Sequence, residues 1–188
     1  MQEDIKNALE VLRNGGVILY PTDTIWGLGC DATNSDAVAK VYAIKKRTDS
    51  KSMIILMDTE NRLASYVDGI PDVAYDLIEY SEKPLTLILE GAKALASNII
   101  NPDDNSVGIR ITKEKFSNQL IQKFRKPIVS TSANISGESF PSIFDEISPE
   151  IINQVDYVVQ YRQDDLKKSA PSGIVRIGKD LTIKVIRE

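Results

Sequence analysis

Short apolar segments alternate with amphipathic segments of helical period along most of the chain. In the first helical segment, Ile5, Leu9 and Leu12 fall on one face. The pattern predicts helices at 3–13, 35–46, 71–81, 113–124 and 142–153, and strands at 17–20, 52–57, 85–89, 107–111, 127–130, 155–159, 173–177 and 182–187. Helices interleaved with many strands indicate an α/β domain with a mixed sheet. The connections at 81–84 and 90–106 are too irregular for a simple doubly wound order, so the topology stays open.

The length of 188 residues, without repeats or a Pro/Gly/Ser-rich linker, predicts a single domain over residues 1–188. The first residues lack the basic-then-apolar pattern of a signal peptide, and no apolar run approaches the ~20 residues that span a bilayer. We therefore expect a cytoplasmic protein that does not enter a membrane. The net charge of −4 argues against indiscriminate coating of nucleic acid but leaves room for a local basic patch.

The chain contains no His and a single Cys, Cys30. This composition excludes Ser-His-Asp and Cys-His triads, His-ligated zinc and imidazole acid–base catalysis. It also excludes an internal disulfide and an all-cysteine zinc site. Any chemistry must use Lys, Arg, hydroxyls, amides, carboxylates or a metal held by oxygen.

Four polar segments lie where open α/β sheets usually bind ligands, at 20–29, 45–51, 106–112 and 127–137. They carry hydroxyls and glycines, clustered cations, an Arg in an apolar strand, and a Ser/Asn-rich loop. Each also has a structural interpretation: a capped turn, cations favoured at a helix C-terminus, a salt bridge at the core edge, or an ordinary polar loop. Together they favour an anionic, phosphate-bearing ligand, although the chain has neither a P-loop nor a GxGxxG motif.

The order and spacing of these segments resemble the YrdC-like family, which contains the L-threonylcarbamoyladenylate synthases. The resemblance rests on Tyr20-Pro-Thr-Asp-Thr-Ile-Trp-Gly-Leu-Gly29, Lys45-x-Arg47, Val107-Gly-Ile-Arg110 and Ser130-Thr-Ser-Ala-Asn-Ile-Ser-Gly137. It covers nearly the whole chain and is closest to the short bacterial form. It implies a twisted α/β domain, with a mixed parallel and antiparallel sheet flanked by helices and a concave, basic cavity.

The resemblance also implies a reaction and its partners. L-threonine, bicarbonate and ATP would give threonylcarbamoyl-AMP and pyrophosphate, the first step towards N6-threonylcarbamoyladenosine in tRNA. A separate tRNA threonylcarbamoyl transferase complex would use the product. ATP is then a substrate, Mg²⁺ is expected on its phosphates, and no metal held by the protein is expected.

Site residues follow from the resemblance, motif by motif. Lys45 and Arg47 are expected to be catalytic. The expected ATP contacts are Lys45, Arg47, Lys51, Ser106, Ser132, Asn134 and Arg187, and the expected L-threonine contacts are Thr24, Thr22, Arg110 and Ser130. Lys46 is interpreted as a solvated charge.

The sequence departs from the family pattern at Glu82-Lys83-Pro84 and at Phe140, where a nucleotide-contacting Ser is common. Two alternatives remain at this point. One is a structured-RNA-binding module that uses the cations of segment 45–51, and the negative net charge counts against it. The other is a paralogue that acts on a different carbamoyl group, against which Thr24 and Arg110 count.

Overall fold

Strands from every part of the chain pair into one mixed sheet in the computed structural model, which describes residues 1–46 and 53–188. The strands are β1 (Ile18–Tyr20), β2 (Gly27–Gly29), β3 (Ile54–Met57), β4 (Leu85–Glu90), β5 (Ser106–Ile111), β6 (Ile128–Ser132), β7 (Tyr157–Val158), β8 (Gly173–Ile177) and β9 (Ile183–Arg187). Their order is β7-β1-β2-β6-β3-β5-β4-β8-β9. The β1–β7, β3–β5 and β4–β8 pairs are parallel and the other neighbours antiparallel. The predicted mixed sheet is confirmed.

Helices accompany the sheet at α1 (Gln2–Arg13), α2 (Ser35–Ile44), α3 (Asp72–Tyr80), α4 (Lys115–Phe124) and α5 (Pro149–Ile152). Helix α4 shows why such segments fold. The Glu114 carboxylate caps its first backbone N–H groups, and a stripe that includes Phe116 and Leu120 is buried. The helix ends at Arg125 in the left-handed conformation, with φ of 63°. Its buried stripe packs with α1 in the main core.

Burial differs strongly across the sheet. All three residues of β1 are buried, whereas all five residues of β9 are exposed. Strand β9 pairs with β8 at one end of the order, and the register between them shifts at Ile174/Val175. No helix within residues 1–46 and 53–188 is long and apolar enough to cross a membrane.

Strand β2 was not predicted, because Gly27-Leu28-Gly29 contains two residues of low strand propensity. The glycines are needed where strands approach closely. A Cβ on Gly29 would lie 2.6 Å from Cε1 of Tyr20 and 2.9 Å from the Val129 carbonyl oxygen. Tertiary packing therefore sets this strand rather than local preference.

The predicted helix at 142–153 is wrong over most of its length. A short 3-10 helix occupies Phe144–Glu146, and α5 begins only at Pro149, where the Ser148 hydroxyl caps it. The amide of Ser142 donates to the Glu146 carboxylate, and Pro149 disfavours helical backbone at Ser148, where ψ is 134°. A 3-10 helix at Glu60–Ser65 and another at Ser97–Ile99 were not predicted.

Several boundaries also shift. Helix α2 ends at Ile44 instead of Lys46, and the Asn34 side chain caps its first turn. The strand expected at 155–159 shortens to β7, and the one expected at 127–130 extends to Ser132. The strand expected at 52–57 begins at Ile54, while position 52 lies outside the described residues.

Candidate functional site

A cavity of about 240 Å³ opens beside β2, β5 and β6, against the segment that precedes β8. Five of the residues expected to contact ligands line it, namely Thr24, Arg110, Ser130, Ser132 and Arg187. Apolar side chains form other parts of its wall. Trp26 is buried and packs against Phe144, with 4.9 Å between ring centroids, while Phe140 is 44% exposed. The lining thus combines two cations and several hydroxyls with apolar surface.

Two threonine hydroxyls beside the cavity form an ordered hydrogen-bond chain. Thr22 Oγ1 donates to the carbonyl oxygen of Ile25 at 2.8 Å, and it accepts from the backbone N–H of Thr24 at 3.1 Å. The Oγ1 atoms of Thr22 and Thr24 are 3.0 Å apart. Because the Thr22 hydroxyl has already given its one proton to Ile25, Thr24 must be the donor between the two.

This proton count determines what Thr24 offers to a ligand. Its Oγ1 also accepts from Nη2 of Arg110 at 3.1 Å. With its proton committed to Thr22, Thr24 presents a lone pair to the cavity and suits an N–H or O–H group of a ligand. Thr22 itself lies behind Thr24, is 2% exposed and does not line the 240 Å³ cavity.

Arg110 is a buried cation at the cavity. Its side chain is 4% exposed, and Nη2 lies 3.0 Å from Oδ1 of Asp23, whose side chain is 11% exposed. Burial raises the pKa of Asp23, and the opposing charge of Arg110 does not cancel that effect. Neither Asp23 Oδ1 nor Arg110 Nε has an aligned hydrogen-bond partner among residues 1–46 and 53–188. The Nε–H group is therefore a donor suited to an anion entering the cavity.

Lys45 ties the end of α2 to the loop that follows β6. Its Nζ donates to the carbonyl oxygens of Ser132 and Asn134 at 2.6 and 2.7 Å. Its own carbonyl oxygen accepts from the backbone N–H of Ser136. The Asn134 side chain in turn donates to the carbonyl oxygen of Glu138 at 2.7 Å. Lys45 and Asn134 therefore shape this loop, and neither is among the residues lining the cavity.

Arg187 reaches the cavity from β9. Its Nε donates to the carbonyl oxygen of Ser172 at 2.9 Å, and the Ser172 and Thr86 hydroxyls are 2.8 Å apart. Burial, and secondarily the charge of Arg110, lower the pKa of Arg187. Two arginines at one cavity favour an anion between them. Thr86 and Ser172 were not among the expected site residues. A Thr within the apolar strand Leu85–Glu90 could have indicated Thr86, which the structure shows to be buried.

The remaining expected residues lie elsewhere. Ser106 is buried at the first position of β5, opposite Glu90, and does not line the cavity. Arg47 and Lys51 lie outside the described residues. In the described part of the chain, no group of three or more Asp, Glu or Cys side chains could hold a metal ion.

The fold and the cavity define a class of α/β protein whose cavity beside a mixed sheet presents two arginines and several hydroxyls. Comparison with known families is more specific. The Sua5/YciO/YrdC family model, described as "Telomere recombination", matches residues 10–188, so this chain belongs to that family.

A curated relative is the threonylcarbamoyl-AMP synthase of Pseudoalteromonas translucida (strain TAC 125). It is 35% identical over 161 residues, which are 84% of this chain and 86% of the relative.

Solved structures share the fold. E. coli YciO superposes with a TM-score of 0.86 at 26% identity, covering 100% of this chain and 90% of YciO. P. abyssi Sua5 complexed with L-threonine superposes with a TM-score of 0.81 at 24% identity, covering 92% of this chain. The match covers 50% of the Sua5 chain, so this chain spans about half of its length.

Proposed function

We propose that this protein makes L-threonylcarbamoyl-AMP and pyrophosphate from L-threonine, bicarbonate and ATP. The product would then pass to a tRNA threonylcarbamoyl transferase complex, and residues 1–188 would act as one domain. The observation that carries the proposal is the pair of Arg110 and Thr24, which places an unpartnered N–H donor beside a hydroxyl acceptor on one cavity. The synthase named among the relatives supports the same activity.

The proposed L-threonine subsite follows from the directions of these hydrogen bonds. The carboxylate accepts from Nε of Arg110, and the amine or hydroxyl of the ligand donates to Thr24. Ser130, on β6 at the same cavity, adds a hydroxyl. Thr22 contributes by holding the Thr24 proton rather than by touching the ligand.

The proposed ATP subsite uses the cavity residues Ser132 and Arg187, together with the loop that Lys45 and Asn134 hold. Arg47, Lys51 and Ser106 stay in the proposal on the family resemblance alone. Mg²⁺ is expected to accompany the ATP phosphates.

The chemistry needs no protein nucleophile. The neutral amine of threonine and bicarbonate give a carbamate and water. An oxygen of the carbamate then attacks the α-phosphorus of ATP while pyrophosphate leaves. The protein's part is to hold two anions in line and to stabilise charge on the phosphoryl group, which cationic side chains do. A chain without His is suited to this reaction because the substrates supply the nucleophile.

The direct test is pyrophosphate release by the purified protein with L-threonine, bicarbonate, ATP and Mg²⁺. We expect release that stops when threonine is omitted. Arg110→Ala should mainly raise the KM for threonine, Arg47→Ala should mainly lower kcat, and the exposed Arg13→Ala should match the parent. Release without threonine, or no release at all, would overturn the proposed function.

A further inference from the structure

Asp23 is a buried acid beside the proposed threonine subsite. The proposed reaction does not use its carboxyl group. We propose that Arg110 exchanges Asp23 for the carboxylate of the amino-acid ligand as its counter-ion, and that Asp23 takes up one proton from solvent in the same step. The proposal rests on the proposed function, since it needs a carboxylate ligand at Arg110. Asp23 is then a positioning residue that acts through Arg110.

The geometry puts two anions in competition for one cation. Arg110 is 4% exposed, and its Nη2 lies 3.0 Å from Asp23 Oδ1, which compensates its charge before a ligand binds. Its Nε has no partner in the described part of the chain, and the side chain lines the cavity. A ligand carboxylate at Nε would leave one guanidinium shared between two carboxylates, so Asp23 would lose part of its counter-charge. Protonation of Asp23 removes that competition.

Asp23 is better placed than the ligand to take the proton. Its Oδ1 accepts no aligned hydrogen bond from the described residues, and the remaining hydrogen bonds of Asp23 do not offset the effect of burial on its pKa. The ligand carboxylate would gain a donor at Arg110 Nε. Burial already raises the pKa of Asp23 before any ligand arrives, which is consistent with this order.

A path for the proton exists on the side of Asp23 away from the ligand. Asp23 lines a second cavity of about 120 Å³, which Ser81, Pro84 and Leu85 also line. Its side chain is 11% exposed, so water reaches the carboxylate without crossing the ligand cavity.

Other charged groups around Asp23 oppose or favour its ionisation. Glu114, at the start of α4, raises the pKa of Asp23, and Glu114 is itself 3.7 Å from Arg162. The second cavity contributes one further acid and two lysines, namely Glu82, Lys83 and Lys113. Tyr20 on β1 stays neutral, because burial raises the pKa of its hydroxyl. Of all these groups, Arg110 is the one that a ligand in the 240 Å³ cavity touches.

The experiment is titration calorimetry of L-threonine into the protein at pH 7 in buffers of different ionisation enthalpy. The dependence of the observed enthalpy on the buffer gives the number of protons taken up. We expect the parent to take up more protons than Asp23→Asn, with a difference of up to about one. Any proton exchanged by the amine of threonine is the same for both proteins and cancels in this difference. The Kd of the parent should rise by up to about tenfold per pH unit above the pKa of Asp23, while that of Asp23→Asn should not.

Asp31→Asn is the matched control. Asp31 is another buried acid paired with a cation, 2.6 Å from Lys126, and it does not line the cavity. This variant should take up as many protons as the parent. Infrared difference spectroscopy of the parent gives a second measurement that needs no variant, because a protonated carboxyl band should appear on addition of threonine.

The outcomes separate the two proposals. If threonine binds but the parent and Asp23→Asn take up equal numbers of protons, or no carboxyl band appears, the role of Asp23 is overturned and the proposed function stands. If the parent binds no threonine in the presence or absence of ATP, both proposals fail.

Discussion

Replacing Thr22 with Val removes the centre of the hydrogen-bond chain behind the ligand cavity. Valine keeps the shape of threonine but exchanges the hydroxyl for a methyl group. The Thr22 hydroxyl bonds the Ile25 carbonyl at 2.8 Å and the Thr24 amide at 3.1 Å, at a side chain that is 2% exposed. The variant therefore leaves two buried backbone groups without that partner and releases the proton of the Thr24 hydroxyl.

The magnitude follows from those two groups. An unsatisfied buried backbone group costs about 1–3 kcal/mol, and the 3.1 Å bond is near the long end of the normal range. We expect a loss of about 2–4 kcal/mol in the free energy of unfolding, which a domain of roughly 5–15 kcal/mol survives. For a chain of this size the melting temperature should fall by about 4–16 °C. The KM for threonine should rise by about 2–10-fold, because Thr24 no longer presents a fixed acceptor.

Thermal denaturation followed by circular dichroism measures the first effect, and pyrophosphate release against threonine concentration measures the second. Thr22→Ser is the control, because it keeps the hydroxyl and should restore the KM. If Thr22→Val has the melting temperature and the KM of Thr22→Ser, the Thr22 hydroxyl does not accept the proton of Thr24. The assigned direction of the hydrogen bonds is then wrong.

Three further predictions concern packing, pH and the loop. Gly29→Ala should lower stability by about 1–3 kcal/mol in urea denaturation, because its Cβ would lie 2.6 Å from a buried ring, whereas Gly27→Ala meets nothing closer than 3.3 Å and should cost less. Burial would raise the pKa of Asp4, but hydrogen bonds to its carboxylate outweigh burial and lower it. Asp4→Asn should therefore destabilise the protein at pH 7, and the difference should fade as the pH drops below about 4; a constant difference would contradict this explanation. Lys45→Met should speed amide hydrogen exchange over 132–138 but not over β3. If the variant and the parent exchange at the same rate over 132–138, Lys45 does not hold the loop.

Local patterns predicted the elements whose burial follows their own period. Helix α4 has its cap at Glu114, directly before the ten residues that carry its buried stripe. Strand β2 could not be predicted, because its two glycines are explained only by Tyr20 and Val129 on neighbouring strands. The helix expected at 142–153 failed because Pro149 disfavours helical backbone at the preceding Ser148, so the segment divides there.

The candidate site was predictable in its residue types but not in its hydrogen-bond directions. The resemblance to the YrdC-like family predicted Thr24, Ser130 and Arg110 as ligand contacts, and the structure brings them together at one cavity. That Thr22 does not line the cavity goes with its bond to the backbone carbonyl of Ile25, which the identities of the motif residues do not specify. The pairing of Thr86 with Ser172 joins residues 86 positions apart, and a local pattern carries no information about such a contact.

The position of Arg187 on β9 links cavity occupancy to the attachment of a strand. A strand at the end of the sheet, exposed along its whole length, detaches at a lower free-energy cost than the buried strands. An anion held by Arg187 binds only when β9 is in place, so it adds RT ln(1 + [L]/Kd) to the cost of detachment. The amide protons of residues 183–187 should therefore exchange more slowly as the ligand concentration rises.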